Sequence, residues 1–220
     1  HIITISNFVK NDLIKFTGVN PEKITVTLES ADELPKGNEP VDELIGKKFI
    51  MYIGRPTPHK NLRRLIDAFA LLQKKYPDLT LALAGKKDSN YARHETYVNE
   101  HGIKNVVFTG FISDEQLRWM YENTAVYCFP SLSEGFGLPG LEAMLHGAPV
   151  ASSTATCLPE THGDAAHYFD PFSVEDIAKS IDDILSDDKL RNELVKKGKK
   201  HVKTFSWQRM AEQTLAVYEK

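Results

Sequence analysis

The sequence is poor in cysteine and lacks long hydrophobic runs. Only two of its 220 residues are cysteines, Cys128 and Cys157, and we interpret both as structural thiols of a reducing compartment rather than as a disulfide framework. No apolar run approaches the roughly 20 residues that a membrane-spanning helix needs, and no charged-then-apolar signal peptide opens the chain. We therefore expect a soluble, cytoplasmic protein.

A basic excess is also absent. The 27 lysine and arginine residues are balanced by 30 aspartate and glutamate residues, which gives a formal net charge of −3. Because proteins that bind duplex nucleic acid use surplus positive charge on the phosphates, we do not expect nucleic acid as a partner. The densest positive patch is the lysine-rich segment 196–203. A solvated helix face is the favoured interpretation of it, and peripheral contact with anionic lipid at the inner face of the membrane is the alternative.

Patterns of metal ligands are missing as well. The chain contains no Asp-x-Asp triplet, and its eight histidines show no paired spacing typical of a metal site. We therefore expect neither a metal nor another cofactor.

Six short apolar segments alternate with helical patterns. The segments are 48–53, 79–84, 106–109, 126–129, 149–152 and 166–169, and several are apolar on both alternating faces. The helical patterns cover 62–72, 92–100, 115–122, 139–145, 174–185, 189–202 and 207–218, and Asn61 is well placed as an N-cap of the first. This order predicts an α/β fold with a doubly wound parallel sheet, which binds its ligand beyond the carboxyl ends of the strands.

Residues 1–46 lie outside this alternation. They contain a strand, a helix capped by Ser6 and closed near Gly18, a second short strand at 24–28, and a polar stretch that ends at Gly46. We interpret 1–46 as the end of an N-terminal domain plus an interdomain linker, and 47–220 as a Rossmann-like domain with a C-terminal helix. Because the chain opens inside a predicted strand, we expect the natural protein to begin earlier.

The first candidate site follows segment 48–53. Gly54 lets a ligand approach the backbone, and Arg55 and Lys60 place two cations beside the start of a helix. Positive charge at a helix N-terminus favours a diphosphate as the ligand. The alternative is that both cations are ordinary surface residues of a strand-to-helix loop.

The second candidate site follows segment 126–129. Gly135 and Gly137 free the backbone to bend around a ligand, Glu134 lies in the loop, and Glu142 lies near the first turn of the next helix. We expect both glutamates to face the crevice at the carboxyl ends of the strands. The alternatives are that Glu142 only complements the helix dipole and that Glu134 pairs with a nearby cation.

The order of these motifs resembles glycosyltransferase family 4, whose members have the GT-B fold of two Rossmann-like domains. Its most specific part is the Glu-x7-Glu element, in the setting Glu-Gly-Phe-Gly-Leu-Pro. The similar positions lie within about residues 47–207 and are Gly54-Arg55 with Lys60-Asn61, Gly85, Thr109-Gly110-Phe111, Pro130-Ser131, Glu134 to Glu142, and Pro159-Glu160. Ser6-Asn7-Phe8 also resembles the last unit of the family's N-terminal domain.

The resemblance implies a donor site for a nucleotide diphosphate sugar. Arg55 and Lys60 would hold the diphosphate, Glu134 would contact the donor sugar, Glu142 would bind the ribose, and the main chain of Phe111 would lie against the base. Transfer would retain the anomeric configuration and need no metal. The residues implied are Gly54, Arg55, Lys60, Phe111, Ile112, Glu134, Gly135, Phe136, Gly137, Leu138 and Glu142, with Glu134, Arg55 and Lys60 as the catalytic set.

The resemblance also implies that most of the N-terminal domain of the GT-B fold is absent from this sequence. The family's N-terminal domain supplies a glycine-rich loop, a cleft histidine and the site for a glycan or lipid-linked acceptor, and this sequence contains none of them. We therefore expect the chain to bind GDP-mannose or a UDP-sugar without transferring the hexose. The alternatives are a non-catalytic module that binds a nucleotide or sugar, and another GT-B enzyme such as a phosphorylase or epimerase.

Overall fold

The computed structural model describes residues 1–37 and 39–219. Within these residues eight strands form two parallel sheets. The smaller sheet pairs β1 (Ile2–Thr4) with β2 (Ile24–Val26). The larger sheet contains β3 (Phe49–Ile53), β4 (Thr80–Ala84), β5 (Val106–Gly110), β6 (Val126–Phe129), β7 (Val150–Ser153) and β8 (Ala166–Phe169). Its spatial order is β5-β4-β3-β6-β7-β8 with all neighbours parallel, which confirms the predicted doubly wound fold.

Helices connect these strands and cover both faces of the larger sheet. In the described part of the chain they are α1 (Asn7–Thr17), α2 (Leu62–Leu72), α3 (Ser89–Glu100), α4 (Asp114–Asn123), α5 (Leu138–Leu145), α6 (Leu158–His162), α7 (Val174–Ser186), α8 (Asp188–His201) and α9 (Trp207–Tyr218). Alternate residues of β3 point to opposite faces. Ile50 and Tyr52 join the apolar core formed with α2 and α7, whereas Phe49 and Met51 join the core formed with α4 and α5.

Most predicted boundaries agree with the structure to within one residue, and the exceptions have local causes. The strand predicted at 24–28 ends at Val26, because its partner β1 already ends at Thr4. The helix predicted from residue 92 begins at Ser89, since the Asp88 carboxylate accepts hydrogen bonds from the amides of Asn90 and Tyr91. The five residues of α6 were not predicted, because so short a helix shows no apolar period.

Asn61 precedes α2 but does not cap it with its side chain. Its backbone is left-handed, with φ of 58°. Its Nδ2 instead donates to the carbonyls of Pro130 and Pro171, at 3.0 and 2.8 Å. Asn61 thus occupies the predicted N-cap position without a side-chain capping hydrogen bond, and its buried amide joins the loop after β3 to the loops after β6 and β8.

The N-terminal segment packs against the larger sheet's domain. As predicted, Ser6 caps α1, because its Oγ accepts from Val9 N, and Gly18 closes the helix with φ of 69°. The Ser6 hydroxyl also donates to Gly135 O at 2.7 Å. The two carboxylate oxygens of Glu160 accept from the first amides of α1, where a negative charge complements the helix dipole. The proposed division near residue 46 stays a prediction.

A buried histidine packs beneath the loop that follows β6. His162 is inaccessible to solvent, with Nδ1 3.1 Å from Ser152 Oγ and Nε2 3.3 Å from Gly137 O. Because a carbonyl only accepts, Nε2 carries the proton and Nδ1 accepts from the serine hydroxyl. Burial lowers the pKa of His162 to about 4, so the ring is neutral near pH 7. The ring fills the space where a side chain at Gly140 would lie.

Replacing Gly140 with alanine should destabilise the protein. The added methyl group would overlap the His162 ring, and overpacking a closed core costs about 1–3 kcal/mol. We expect the free energy of unfolding, measured by urea titration, to fall by about 2 kcal/mol. Gly135→Ala is the control, because its methyl group would closely meet only the tip of the Ile5 side chain, at 3.2 Å from Cδ1, and should cost less. Equal stability of the two variants would contradict this account.

Candidate functional site

A crevice between β3 and β6 organises the candidate site. These two strands are parallel neighbours at the centre of the sheet. After β3 the chain continues to β4 on one side, and after β6 it continues to β7 on the other. The two following loops therefore separate and leave room for a ligand beyond the carboxyl ends of the strands. The two clusters predicted from the sequence are these loops.

An ion pair joins the two loops. Lys60 Nζ lies 2.6 Å from Glu134 Oε1, with the two side chains 23% and 13% exposed. Beside this pair, Leu132 N donates to His59 O at 2.7 Å, and Glu134 N donates to Thr156 Oγ1 at 3.0 Å. The structure thus brings together two predicted site residues that lie 74 positions apart in the chain.

Arg55 points toward α3 instead. Its side chain is 76% exposed, and Nε lies 3.4 Å from Asp88 Oδ2. Desolvation opposes ionisation of Asp88, but hydrogen bonds from the amides of Tyr91 and Asn90 and from Arg55 outweigh it and lower the pKa of that carboxyl. Asp88 was not among the predicted site residues. An aspartate immediately before a helix was the available signal.

Glu142 lies on α5, and in the described residues no hydrogen bond or ion pair joins it to Lys60 or Glu134. Because α5 begins at Leu138, Glu142 is its fifth residue, at the start of the second turn and so near the first, as predicted. Its Oε2 accepts from Tyr121 OH at 3.2 Å. Burial raises the pKa of Glu142, with the tyrosine hydrogen bond opposing and nearby aspartates adding to the rise. Because the helix dipole acts mainly on charges in the first turn, this position argues against the alternative that Glu142 only complements the dipole.

The loop Gly135 to Leu138 connects Glu134 to α5. Gly137 has a φ of 103°, a left-handed conformation that favours glycine, and a Cβ there would lie 2.7 Å from Leu158. The Phe136 side chain is buried and packs edge-on against Phe205, with ring centroids 5.8 Å apart. Only the backbone of Phe136 is therefore available to a ligand.

The predicted base-binding residues lie at the same edge of the sheet but further away. Phe111 and Ile112 follow β5, which is two strands from β3. The Phe111 side chain is 85% exposed, whereas Ile112 packs partly against the core. Among the described residues no hydrogen bond or ion pair joins them to Lys60 or Glu134.

Three buried hydroxyl groups around the crevice were not predicted. Tyr52 OH, Tyr127 OH and Ser131 Oγ have no hydrogen-bond partner within residues 1–37 and 39–219. They belong to β3, β6 and the loop after β6. Burial raises the pKa of both phenols, which therefore stay protonated. In the sequence both tyrosines resemble ordinary core aromatics of a strand, so nothing distinguished them.

No cluster of three or more His, Cys, Asp or Glu side chains that could hold a metal occurs in the part of the chain that the structure describes. None of the described helices is both long enough and apolar enough to cross a membrane.

The strand order and the covering helices define a doubly wound α/β domain. A family model for glycosyl transferases group 1 matches residues 37–201. The chain belongs to this family of glycosyltransferases, and the resemblance to the C-terminal domain of a GT-B enzyme is confirmed.

Individual relatives agree with this assignment. The chain is 32% identical over 233 residues to the O-antigen chain mannosyltransferase B of Escherichia coli, and the match covers 99% of this chain and 60% of the relative. A C-terminal domain of a glycosyl transferase group 1 family protein from Francisella tularensis is 31% identical, with a TM-score of 0.65 over 74% of this chain and 88% of that one. Sucrose-phosphate synthase from Thermosynechococcus elongatus is 25% identical, with a TM-score of 0.84 over 99% of this chain and 57% of that one.

The raised pKa of Glu142 predicts a pH-dependent cost in stability. Folding favours the protonated form of the Glu142 carboxyl. The folded state is therefore more stable at low pH, where the carboxyl is protonated, and loses this stability as the pH rises through the folded-state pKa of Glu142. Glu142→Gln keeps the shape without the charge. We expect urea titrations to show a larger stability gain over the parent at about pH 8 than at about pH 4.

The control for this experiment is Glu100→Gln, which changes an exposed carboxyl at the end of α3. Its stability difference from the parent should not follow the same pH dependence. A Glu142→Gln variant with the same difference at both pH values would show that the carboxyl is not destabilised by burial.

Proposed function

We propose that this chain is the donor-binding half of a retaining glycosyltransferase, which binds a nucleotide diphosphate sugar for hexosyl transfer to a glycan or lipid-linked acceptor. The Lys60–Glu134 ion pair in the crevice carries this proposal. It places a cation suited to phosphate beside a carboxylate suited to sugar hydroxyls. Membership of the group 1 family supports the same assignment.

Arg55 and Lys60 bind the diphosphate in this proposal. Both lie in the loop that begins at Gly54 and leads to α2. The exposed contact between Arg55 and Asp88 is easily exchanged, because surface ion pairs contribute about 0–1 kcal/mol. Charge-assisted hydrogen bonds strengthen as the departing diphosphate gains negative charge, so the same cations assist the reaction.

Glu134 and the loop after it bind the donor sugar. In the free chain its carboxylate accepts from Lys60. When a phosphate takes over the ammonium group, the carboxylate becomes available to sugar hydroxyls next to that phosphate. The backbone amides of Gly135 to Leu138 lie at the start of α5, where partial positive charge favours sugar or phosphate oxygens.

Glu142 and the loop after β5 bind the nucleoside. Glu142 accepts hydrogen bonds from the ribose hydroxyls, and the main chain of Phe111 and Ile112 lies against the base. Recognition through the main chain accommodates more than one base, so we propose GDP-mannose first and UDP-sugars next. The E. coli relative, a mannosyltransferase, supports mannose as the sugar.

The acceptor site lies outside this chain. The chain spans 60% of the length of the E. coli relative, and we assign the acceptor to the remaining part. Because catalysis of a two-substrate reaction depends on positioning both reactants, this chain alone binds the donor without transferring its sugar. Contact of the α8 lysines with an anionic membrane stays a prediction.

Removing either cation should weaken binding of a nucleoside diphosphate. Arg55→Ala and Lys60→Ala each delete charge-assisted hydrogen bonds worth about 1.5–3 kcal/mol, which is roughly tenfold to a hundredfold in affinity. Titration calorimetry with GDP, UDP and ADP measures the loss, and the matching nucleosides should bind as they do to the parent. Lys104→Ala, an exposed cation before β5, is the control. Parent-like affinity in both site variants would disprove this placement of the phosphates.

Donor binding should not require a divalent metal, because two cations and the start of α5 neutralise the diphosphate. Calorimetry in EDTA and then in excess magnesium should give similar affinities for the nucleoside diphosphate that binds best. A loss of more than about tenfold in EDTA, or about 1.4 kcal/mol, would overturn the two-cation account.

A further inference from the structure

The ends of β3 and β4 separate beside the proposed phosphate site. Gly54 N donates to Ala84 O at 3.1 Å, which is the last backbone hydrogen bond between these two strands in the described ranges, whereas Gly85 N donates to Gly110 O of β5 at 3.0 Å. No backbone amide within the described ranges donates to the carbonyl of Gly54. The regular ladder between the two strands therefore stops at this carbonyl.

Tyr91 fills the position that the ladder leaves open. It is the third residue of α3, its side chain is buried, and its hydroxyl lies 2.9 Å from Gly54 O and 2.7 Å from Ala84 O. A phenol carries one proton, so the two carbonyls share it. Gly85 makes this approach feasible, because a Cβ there would lie 2.7 Å from the Tyr91 oxygen.

Holding the Gly54 carbonyl also fixes the amide of Arg55. The peptide group is planar and trans, so its C=O and N–H point in opposite directions. The Arg55 N–H therefore points away from Tyr91, and no acceptor contacts it in the described part of the chain. The same turn of α3 also holds the Arg55 side chain, through Asp88.

We propose that Tyr91 is a positioning residue, which orients the Gly54–Arg55 peptide so that the Arg55 amide donates to a phosphate group of the ligand. The identity of that ligand rests on the proposed function. The orientation of the peptide rests only on the contacts of Tyr91.

Tyr91→Phe tests this role with the loss of a single oxygen atom. The ring stays, so its edge-on packing against Phe108, with centroids 6.0 Å apart, should be preserved. Tyr97→Phe is the matched control. It removes the same atom from the same helix, but the Tyr97 hydroxyl donates to Asp67 and not to a strand end.

Two measurements separate a positioning role from a merely structural one. Nitrogen-15 relaxation reports the mobility of the Arg55 amide in the free 220-residue chain, for which an order parameter of about 0.85 marks a rigid backbone. Titration calorimetry compares GDP and UDP with guanosine and uridine. The first measurement needs no ligand, so it stands even if the proposed function fails.

We expect Tyr91→Phe to lower the order parameter of Arg55 and to weaken diphosphate binding about tenfold, or about 1.4 kcal/mol, with nucleoside binding unchanged. Tyr97→Phe should match the parent in both measurements. Parent-like results for Tyr91→Phe in both would overturn the inference. A mobile Arg55 amide with undiminished diphosphate affinity would also overturn it, because Tyr91 would then be structural only.

If the parent binds no nucleoside diphosphate, the proposed function fails by itself. The relaxation measurement then decides the role of Tyr91. A more mobile Arg55 amide in Tyr91→Phe alone would support the orienting contact, and an unchanged amide would exclude it.

Discussion

The parallel pairing of β3 with β4 on one side and with β6 on the other is the constraint on which the site depends. Because both pairs are parallel, three strands end at the same edge of the sheet, and their loops meet there. The alternation of β3 side chains between two apolar cores fixes this register, since a slip by one residue would exchange its buried faces. The contact between Lys60 and Glu134 is a consequence of this pairing.

The carboxyl groups of Glu134 and Glu142 have different hydrogen-bond partners. Glu134 has a cation within hydrogen-bonding distance, whereas Glu142 has a neutral tyrosine and is destabilised by burial in its charged form. A carboxylate paired with a cation becomes free for other donors only when an anion competes for that cation. One that accepts only from a phenol gains when additional donors arrive. This difference agrees with the proposed function, in which the two glutamates bind different parts of the donor.

Much of this arrangement could be predicted from local patterns. The apolar strands, the loop positions of Arg55, Lys60 and Glu134, and the cap at Ser6 follow from residue type and spacing. Pairing of Glu134 with a cation was among the alternatives, but the particular partners of contacts between distant segments could not be predicted. Nothing near Lys60 in the chain indicates which carboxylate it will contact.

The side-chain contacts that were not predicted have the same origin. Asparagine is a residue type that commonly caps helices with its side chain. The left-handed backbone of Asn61 instead turns its amide toward two carbonyls of other loops. Tyr91 and His162 resemble core residues, and they are buried. Their polar atoms, however, are aimed at backbone carbonyls of the site loops, and this direction is set by the packing of α3 and α6 rather than by local sequence.

The attachment of α1 has a consequence for the order in which the chain acquires its structure. The Ser6–Gly135 hydrogen bond joins residues 129 positions apart, and the contacts of Asn7 with Glu160 span 153 positions. Contacts between distant residues form late, because long loops must close before they gain any stabilisation. During synthesis, the start of α1 cannot obtain its carboxylate partner until α6 has emerged from the ribosome. The start of α1 thus depends on a partner from the second half of the chain, whereas β1 finds its partner β2 only 22 positions away.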